Sequence, residues 1–473
     1  MQTVSSPRHS LSTSLLPTLA ILAAWLITSA TALTADKRPH IIIMLADDLG
    51  WKDVSYHGGN IATPNIDNLA KQGTQLDQFY VQSVCTPTRG ALMTGRYPIR
   101  LGLQCNVVRP WASHGLPLDE QTLASVLREN GYTTSIVGKW HLGHALAEFL
   151  PLQRGFDSQY GHYNGGLNYY THIRDGGHDW HRDDEANYDE GYTTDLIGQE
   201  ASRIIEDHDT DKPLFLYVPF NAPHSPYQAP EEHLERNKHI KDERRRIFAG
   251  MVTSMDDAIG KILKSAKQHL PRDNTLIFFF SDNGGITRVG SNGELRGQKS
   301  TIYEGGIRVP AIMAWEGTIK TNSIVKEPLH VSDIYPTLLN VIGSEHTQIK
   351  PLDGKDVWST ITQGKPSPHE YILLDSTPFR GAIRMADWKL VRNGKATAIE
   401  TTSTGNETWE LFNLKSDPSE KNDLKTKRKA VFQKLKKKLE ELAGQAIVPN
   451  MPPNRLPEDF KVPKIWGHPE STR

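Results

Sequence analysis

Cys85 opens the run Cys85-Thr86-Pro87-Thr88-Arg89-Gly90 and is one of only two cysteines in 473 residues. A thiol at a helix start, with proline in the first turn and arginine just beyond, is either a free cysteine that needs no chemistry or a reactive centre. Two acidic clusters, Asp47-Asp48 and Asp282-Asn283, offer hard oxygen ligands that suit Ca²⁺ or Mg²⁺, whereas zinc favours histidine and thiolate. Either cluster alone is an ordinary strand-to-turn sequence. At one sheet edge, three carboxylates would repel one another unless something cationic neutralised them, and a divalent ion is the simplest candidate. Arg89, Lys139, His141, His224 and Lys299 add cations and proton carriers, which around one pocket would cradle a tetrahedral anion. Each has a plain alternative: Lys139 as a surface-loop residue, His224 as a loop residue between Pro223 and Pro226, Lys299 as a solvated cation.

Such a pocket requires elements that converge. Four apolar, β-rich runs each lead into one of these clusters: Ile41 to Leu45 into Asp47-Asp48, Thr133 to Val137 into Lys139 and His141, Leu214 to Val218 into His224, and Leu276 to Phe280 into Asp282-Asn283. Continuous apolar runs of this length fit central parallel strands covered on both faces. Helical patterns lie between them, from Thr122 to Asn130 before Gly131 and from Ile247 to His269 before Pro271. The alternation predicts an α/β fold with a large doubly wound, mostly parallel sheet flanked by helices, and such sheets bind ligands beyond the carboxyl ends of their strands. After about Gly364 the texture changes to short strands at Tyr371 to Leu374, Gly381 to Met385, Lys389 to Val391 and Trp409 to Phe412, then a charged helix from about Lys427 to Leu442. This predicts a smaller C-terminal α+β subdomain of antiparallel strands and one helix. Lys434 to Lys438 fits a solvated helix face, and the proline-rich tail after Pro449 an extended wrap over the surface.

Composition bounds the function. With 37% hydrophobic and 23% charged residues the chain can bury a large core. Lys plus Arg (54) and Asp plus Glu (55) nearly cancel, so no global field argues for nucleic acid or an anionic membrane. Arg8 and His9, an apolar stretch from Leu15 to Ile27 and Ala30-Thr31-Ala32 predict a secretory signal peptide over 1–32, too short for a stable membrane anchor. Export permits disulfides, and a Cys85–Cys105 bridge competes with any reactive role for Cys85. Asn406-Glu407-Thr408 is a lone glycosylation sequon, meaningful only in a eukaryotic host.

An ordered series of motifs then resembles one family over most of the chain. Leu45-Ala46-Asp47-Asp48-Leu49-Gly50-Trp51, Thr63-Pro64-Asn65-Ile66-Asp67, the Cys85 pentad, Gly138-Lys139-Trp140-His141-Leu142-Gly143, Arg154-Gly155-Phe156-Asp157, Ser281-Asp282-Asn283-Gly284-Gly285, Leu295-Arg296-Gly297 with Lys299, Glu304-Gly305-Gly306-Ile307-Arg308 and Trp409 to Leu414 are similar to type I sulfatases of the alkaline phosphatase superfamily, most of all to the arylsulfatase B (N-acetylgalactosamine-4-sulfatase) type. The resemblance implies a catalytic domain over 36–364 and a C-terminal subdomain with a wrapping tail over 365–473. It implies that a formylglycine-generating maturation enzyme converts Cys85 to formylglycine (3-oxoalanine), hydrated to a diol. One Ca²⁺, or Mg²⁺, would be bound by Asp47, Asp48, residue 85, Asp282 and Asn283. Metal and Arg89 would ease ionisation of the attacking hydroxyl, His224 would protonate the leaving alcohol, and Lys139 and Lys299 would stabilise the sulfuryl oxygens. His141 would then help the second hydroxyl expel sulfate.

The implied activity is exo-acting hydrolysis of sulfate esters on a sulfated carbohydrate, a galactosaminoglycan or a marine polysaccharide. Loops 107–114 and 163–180, rich in Trp, Tyr, His and Asn, suit stacking on sugars or, equally, ordinary loop packing. The scarcity of cysteines, unlike the several disulfides of animal relatives, points to a periplasmic or secreted bacterial protein. Two alternatives are a phosphomono- or diester hydrolase on the same scaffold, and a catalytically silent sulfated-glycan-binding protein in which Cys85 stays a thiol.

Overall fold

A computed structural model of the chain describes residues 1–6, 38–104, 106–344, 350–377, 380–394 and 407–467. Residues 7–32 of the predicted signal peptide, Cys105 and Asn406 of the sequon lie outside the described residues. The chain divides into two units, Met1–Arg38 and Pro39–Arg473; in the first, residues 1–6 are exposed and carry no helix or strand. The rest concerns Pro39–Arg473.

Among the described residues, ten strands form the main sheet: β1 (His40–Ala46), β2 (Thr74–Leu76), β3 (Thr133–Lys139), β4 (Ser158–His162), β5 (His181–Arg182), β6 (Glu185–Ala186), β7 (Leu214–Pro219), β8 (Thr275–Ser281), β9 (Ala311–Ala314) and β10 (Ser323–Val325). Their order across the sheet is β10-β2-β9-β8-β1-β7-β3-β4-β5-β6. The central five, β8-β1-β7-β3-β4, run parallel, with Ile43 in register with Tyr217 on one side and Phe278 on the other. Beyond them β9 and β5 pair antiparallel, so the sheet is mixed at its edges.

Strands β1, β7 and β8 are apolar along most of their length because both faces are covered. The period of two sends Ile41, Ile43 and Leu45 into one core with Phe215, Tyr217, Phe278 and Phe280. Ile42 and Met44 enter the opposite core with Leu216, Val218 and Phe279. Each such side chain, fully buried, contributes about 1.5–3 kcal/mol. The second core is roofed by helices Thr193–Glu206 and Glu243–His269, where a Cβ on Gly198 would stand only 2.8 Å from Ala258 Cβ. The long helix starts four residues before the predicted Ile247, because Asp242 caps it by accepting the Arg245 N–H. Helix Leu123–Glu129 has the expected limits, set by the Thr122–Ser125 capping box.

The C-terminal strands β11 (Ile372–Ser376), β12 (Gly381–Met385), β13 (Trp388–Asn393) and β14 (Thr408–Asn413) form an antiparallel sheet in that order. Helix Lys429–Ala443 packs on one face through Leu435, Leu439 and Leu442. The other face meets Tyr80, Ile302 and Ile307, next to the loop that carries Lys299. There Lys389, fully buried, bridges Glu304 Oε1 at 2.9 Å and Glu420 Oε1 at 2.8 Å. Beyond the helix, an extended strap follows the protein surface: Ile447 N bonds Ile99 O, Asn450 N bonds Gly102 O, Trp111 Nε1 donates to Pro453 O, and Trp466 N bonds His178 O.

Candidate active site

The carboxyl ends of the central strands gather the predicted residues as the parallel sheet requires. Asp47 and Asp48 follow β1, Asp282 and Asn283 follow β8, Lys139 closes β3, and His224 lies shortly after β7. The ladder continues past the strands, with Asp47 N bonded to Ala222 O and Asp282 N to Ala46 O, each at 3.0 Å. Cys85 is the first residue of helix Cys85–Thr94, all ten residues of which are buried. Cys85 carries a free thiol.

Cys85 Sγ lies 3.5 Å from Asp47 Oδ1 and 3.5 Å from Lys299 Nζ. One turn further on, Arg89 donates through Nε and Nη2 to Asp282 Oδ2 at 3.2 and 2.9 Å, and through Nη1 to the Lys139 carbonyl at 3.0 Å. Lys139 Nζ sits 2.5 Å from Asp47 Oδ2, and Lys299 Nζ 2.5 Å from Asp48 Oδ1. Asn283 Nδ2 donates to Asp48 Oδ1 at 2.8 Å. The surface-loop alternative for Lys139 fails, because its side chain is fully buried.

The electrostatics differ from the sequence expectation in one respect. Three carboxylates do meet, but the chain's own cations balance them: Lys139 on Asp47, Lys299 on Asp48, Arg89 on Asp282. Mutual repulsion therefore does not by itself require a metal ion. What fits a hard cation is the donor set: Asp48 Oδ2 and Asn283 Oδ1 are buried without a hydrogen-bond partner, an arrangement that costs free energy unless something cationic takes those lone pairs. Ligand atoms of Asp47, Asp48, Cys85 and His224 lie within 4.8 Å of one another. A divalent ion added to balanced charges leaves the pocket positive, which suits an anionic ester.

Burial raises the Asp48 carboxyl, but Lys299, His224 and the bond from Asn283 outweigh it and hold the group at about 2. Burial and the Asp47 charge push Asp282 up to about 6 against Arg89 and Lys139. Burial, joined by Asp282, pushes the Cys85 thiol up to about 12 despite both lysines. An unmodified Cys85 is thus a protonated thiol and a poor nucleophile.

Both histidines have a defined tautomer, because a carbonyl can only accept. His141 Nε2 donates to Val108 O at 3.0 Å, which leaves Nδ1 as a buried, unpartnered acceptor. His224 Nδ1 donates to Ser225 O at 2.6 Å, and its Nε2 faces Asp48 Oδ2 at 3.8 Å. Burial, then Lys299, lowers His224 to about 3; burial, then Lys139, lowers His141 well below its usual value. Asp48 (φ 70°) and His141 (φ 58°) both hold left-handed backbone, which for such residues costs on the order of 1–3 kcal/mol. A Cβ on Gly165 would stand 2.5 Å from His141 Cε1, so the ring needs a glycine beside it.

Two contributors escaped the sequence reading. Thr86, inside the pentad, donates to His141 O and accepts from Val108 N, each at 3.1 Å, and so ties the Cys85 helix to both loops. Ser281 accepts the Leu49 N–H at 3.0 Å and locks the two acidic turns together. Both lie inside motifs, Thr86 as the variable position of the Cys85 pentad and Ser281 as the first residue of Ser281-Asp282-Asn283-Gly284-Gly285, but nothing in the spacing assigns either a partner.

The Sulfatase family model matches residues 39–344, and the N-sulphoglucosamine sulphohydrolase C-terminal model matches residues 296–445. The chain is 37% identical to arylsulfatase J of Mus musculus over 88% of its own length and 77% of that protein. It belongs to the Sulfatase family. This sulfatase is also 32% identical to N-acetylgalactosamine-6-sulfatase of Homo sapiens, over 70% of its length and 67% of the relative. Among solved structures, Ps i-CgsB superposes with a TM-score of 0.80 at 33% identity, covering 87% of this chain and 94% of the other. A second structure of Ps i-CgsB holds k-i-k-neocarrahexaose. The resemblance to type I sulfatases stands, the fold is the alkaline phosphatase-like one of its structural neighbours, and the enzyme is a sulfuric ester hydrolase.

Proposed function

We propose that this sulfatase removes sulfate from a sulfated polysaccharide after Cys85 has been oxidised to formylglycine, with one divalent cation, Ca²⁺ or Mg²⁺, held by Asp47, Asp48, Asp282, Asn283 and residue 85. The observation that carries the reading is the place of Cys85: buried, first in its helix, and 3.5 Å from both Asp47 Oδ1 and Lys299 Nζ. Formylglycine and cation together supply a hydroxyl nucleophile and ease its ionisation. Lys139 and Lys299 bind the sulfuryl oxygens and balance the charge that grows on them. Arg89 fixes the Asp282 carboxylate and the end of β3. His224, held neutral by burial and Lys299, gains a proton on Nε2 when an anionic ester offsets that lysine, and passes it to the leaving alcohol. His141 Nδ1, a lone pair with no partner, takes up the proton whose departure releases sulfate.

A sugar substrate is supported by the carrahexaose bound to one relative, by the N-acetylgalactosamine-6-sulfatase name of another, and by the aromatic loops 107–114 and 163–180. The same reading places the catalytic domain at 36–364 and the C-terminal subdomain with its strap at 365–473. It also takes a formylglycine-generating enzyme as partner, an exported location, periplasmic or secreted, and exo action. Among the described residues no helix is long and apolar enough to cross a membrane.

The test is a mass spectrum of the Cys85 peptide from the native host, paired with sulfate release from sulfated oligosaccharides of several lengths. An aldehyde at residue 85 and release from the chain end are expected. A thiol at 85 in active protein refutes the nucleophile, binding without release favours a silent glycan binder, and faster turnover of 4-nitrophenyl phosphate than of the sulfate favours a phosphoesterase.

A further inference from the structure

Arg109, on a loop, and Arg174, in the strand Ile173–Arg174 of a two-stranded hairpin, lie beside the candidate site, and neither serves the chemistry above. Arg109 follows Val108, whose carbonyl holds His141 Nε2 and whose N–H bonds Thr86. Arg174 reaches the segment beside His224: its Nη1 donates to Gly166 O at 3.2 Å, and a Cβ on Gly166 would stand 3.1 Å from His224 Nδ1. The two guanidinium groups lie within electrostatic reach of each other, and Arg109 within reach of Cys85.

Their charges are under-balanced. Among the described residues Arg109 makes no ion pair; its Nε is buried without a partner, and its Nη2 contacts to Asn106 Oδ1 and Asn454 Oδ1 are long, at 3.4 and 3.5 Å. Arg174 has one carboxylate, Asp175, at 3.0 Å, whose side chain is 39% exposed. Two cations with a single part-exposed carboxylate, paired with Arg174 alone, leave an anion position open.

A cavity of about 510 Å³ adjoins them, lined by Trp111, His144, Phe460 and Trp466, with Asp459 and Lys461 of opposite charge at its wall. Trp466 Nε1 donates to the Arg174 carbonyl at 2.8 Å, and His144 Nε2 donates to Pro110 O at 2.9 Å, so the cavity and the arginines share one frame. The volume and the aromatic walls suit a sugar ring.

We infer that Arg109 and Arg174 form a second anion subsite, which takes a sulfate or carboxylate on the sugar adjoining the one that loses its sulfate, with the aromatic cavity receiving that sugar's ring. The inference rests on the sulfated-sugar reading, and it requires a substrate with two anionic groups.

The experiment measures kcat/KM on three disaccharides that share the scissile ester and differ in the adjoining sugar: neutral, sulfated, or a uronate. The wild type is expected to favour at least one anionic neighbour by about tenfold or more, as charge-assisted contacts do. Which of the two it favours identifies the group. Arg109→Gln and Arg174→Gln should each lower kcat/KM on that substrate, mainly through KM, at least fivefold more than on the neutral one. Wild-type values within threefold across all three substrates, or equal losses on all three in the variants, would overturn the subsite while leaving the sulfatase reading intact. No hydrolysis of any of the three by correctly matured protein would overturn both. Should the variants fail to fold, the wild-type preference and its weakening by salt decide the question.

Discussion

Gly165→Ala tests whether the position of His141 is a built feature of the site. A methyl group there would lie 2.5 Å from Cε1 and 2.6 Å from Nε2 of the ring. Carbon contacts settle near 3.5–4.0 Å, so ring or loop must give by about 1 Å. The ring has little freedom to do so: it is 4% exposed, its backbone is left-handed at φ 58°, and Nε2 is held to Val108 O at 3.0 Å. A retreat of about 1 Å breaks that bond, and misplacement on this scale costs on the order of 10²-fold in rate where the group takes part in proton transfer. Overpacking should cost about 1–3 kcal/mol of stability. The assay is kcat and KM for sulfate release beside thermal melting, with Gly166→Ala in parallel; its Cβ would meet His224 Nδ1 at 3.1 Å, a milder contact, and a smaller loss is expected. A Gly165→Ala protein that keeps kcat within threefold of wild type, or a Gly166→Ala protein that loses more, would refute the reasoning.

Other outcomes follow from single contacts. Lys389→Met leaves the buried Glu304 and Glu420 carboxylates without their cation and should cost about 3–5 kcal/mol in urea unfolding, where a loss below about 1 kcal/mol would refute the bridge as a structural tie. Burial, then His208, holds His40 down to about 4, and its Nδ1 accepts the Leu214 N–H. The unfolded chain therefore binds more protons between its ordinary value of 6.5 and about 4, and stability falls as pH drops through that window. His40→Asn should flatten this slope in melting curves, and an unchanged slope would exclude His40 as its source. Chelation followed by millimolar Ca²⁺ should raise the melting temperature through the orphan oxygens of Asp48 and Asn283, whereas identical melts with and without Ca²⁺ or Mg²⁺ would remove the cation from the reading.

The central strands and the cluster at their ends were legible because each is local. Ile41 to Leu45 and Leu276 to Phe280 are unbroken apolar runs, and each is followed directly by its carboxylates. The edges were not: Thr74–Leu76 and Ser323–Val325 are three residues each, too short for a periodic signal, and are fixed by the neighbours they pair with. The pairing of Lys139 with Asp47 and of Arg89 with Asp282 was equally hidden, since it depends on side chains 92 and 193 residues apart meeting at one sheet edge. The sequence placed those cations against the substrate; the structure places them first against the carboxylates, and a bound anion must share them.

The strap from Ile447 to Trp466 holds loops on both sides of the cleft, yet the two family matches stop at residues 344 and 445. The chemistry and the segment that frames it are therefore separable. A different final stretch of chain could reshape the mouth of the cleft while leaving the carboxylates, lysines and histidines in place. It is also the last part of this frame to be synthesised, so a chain arrested short of it could complete the sheet and the catalytic cluster while the wall of the cleft was still missing.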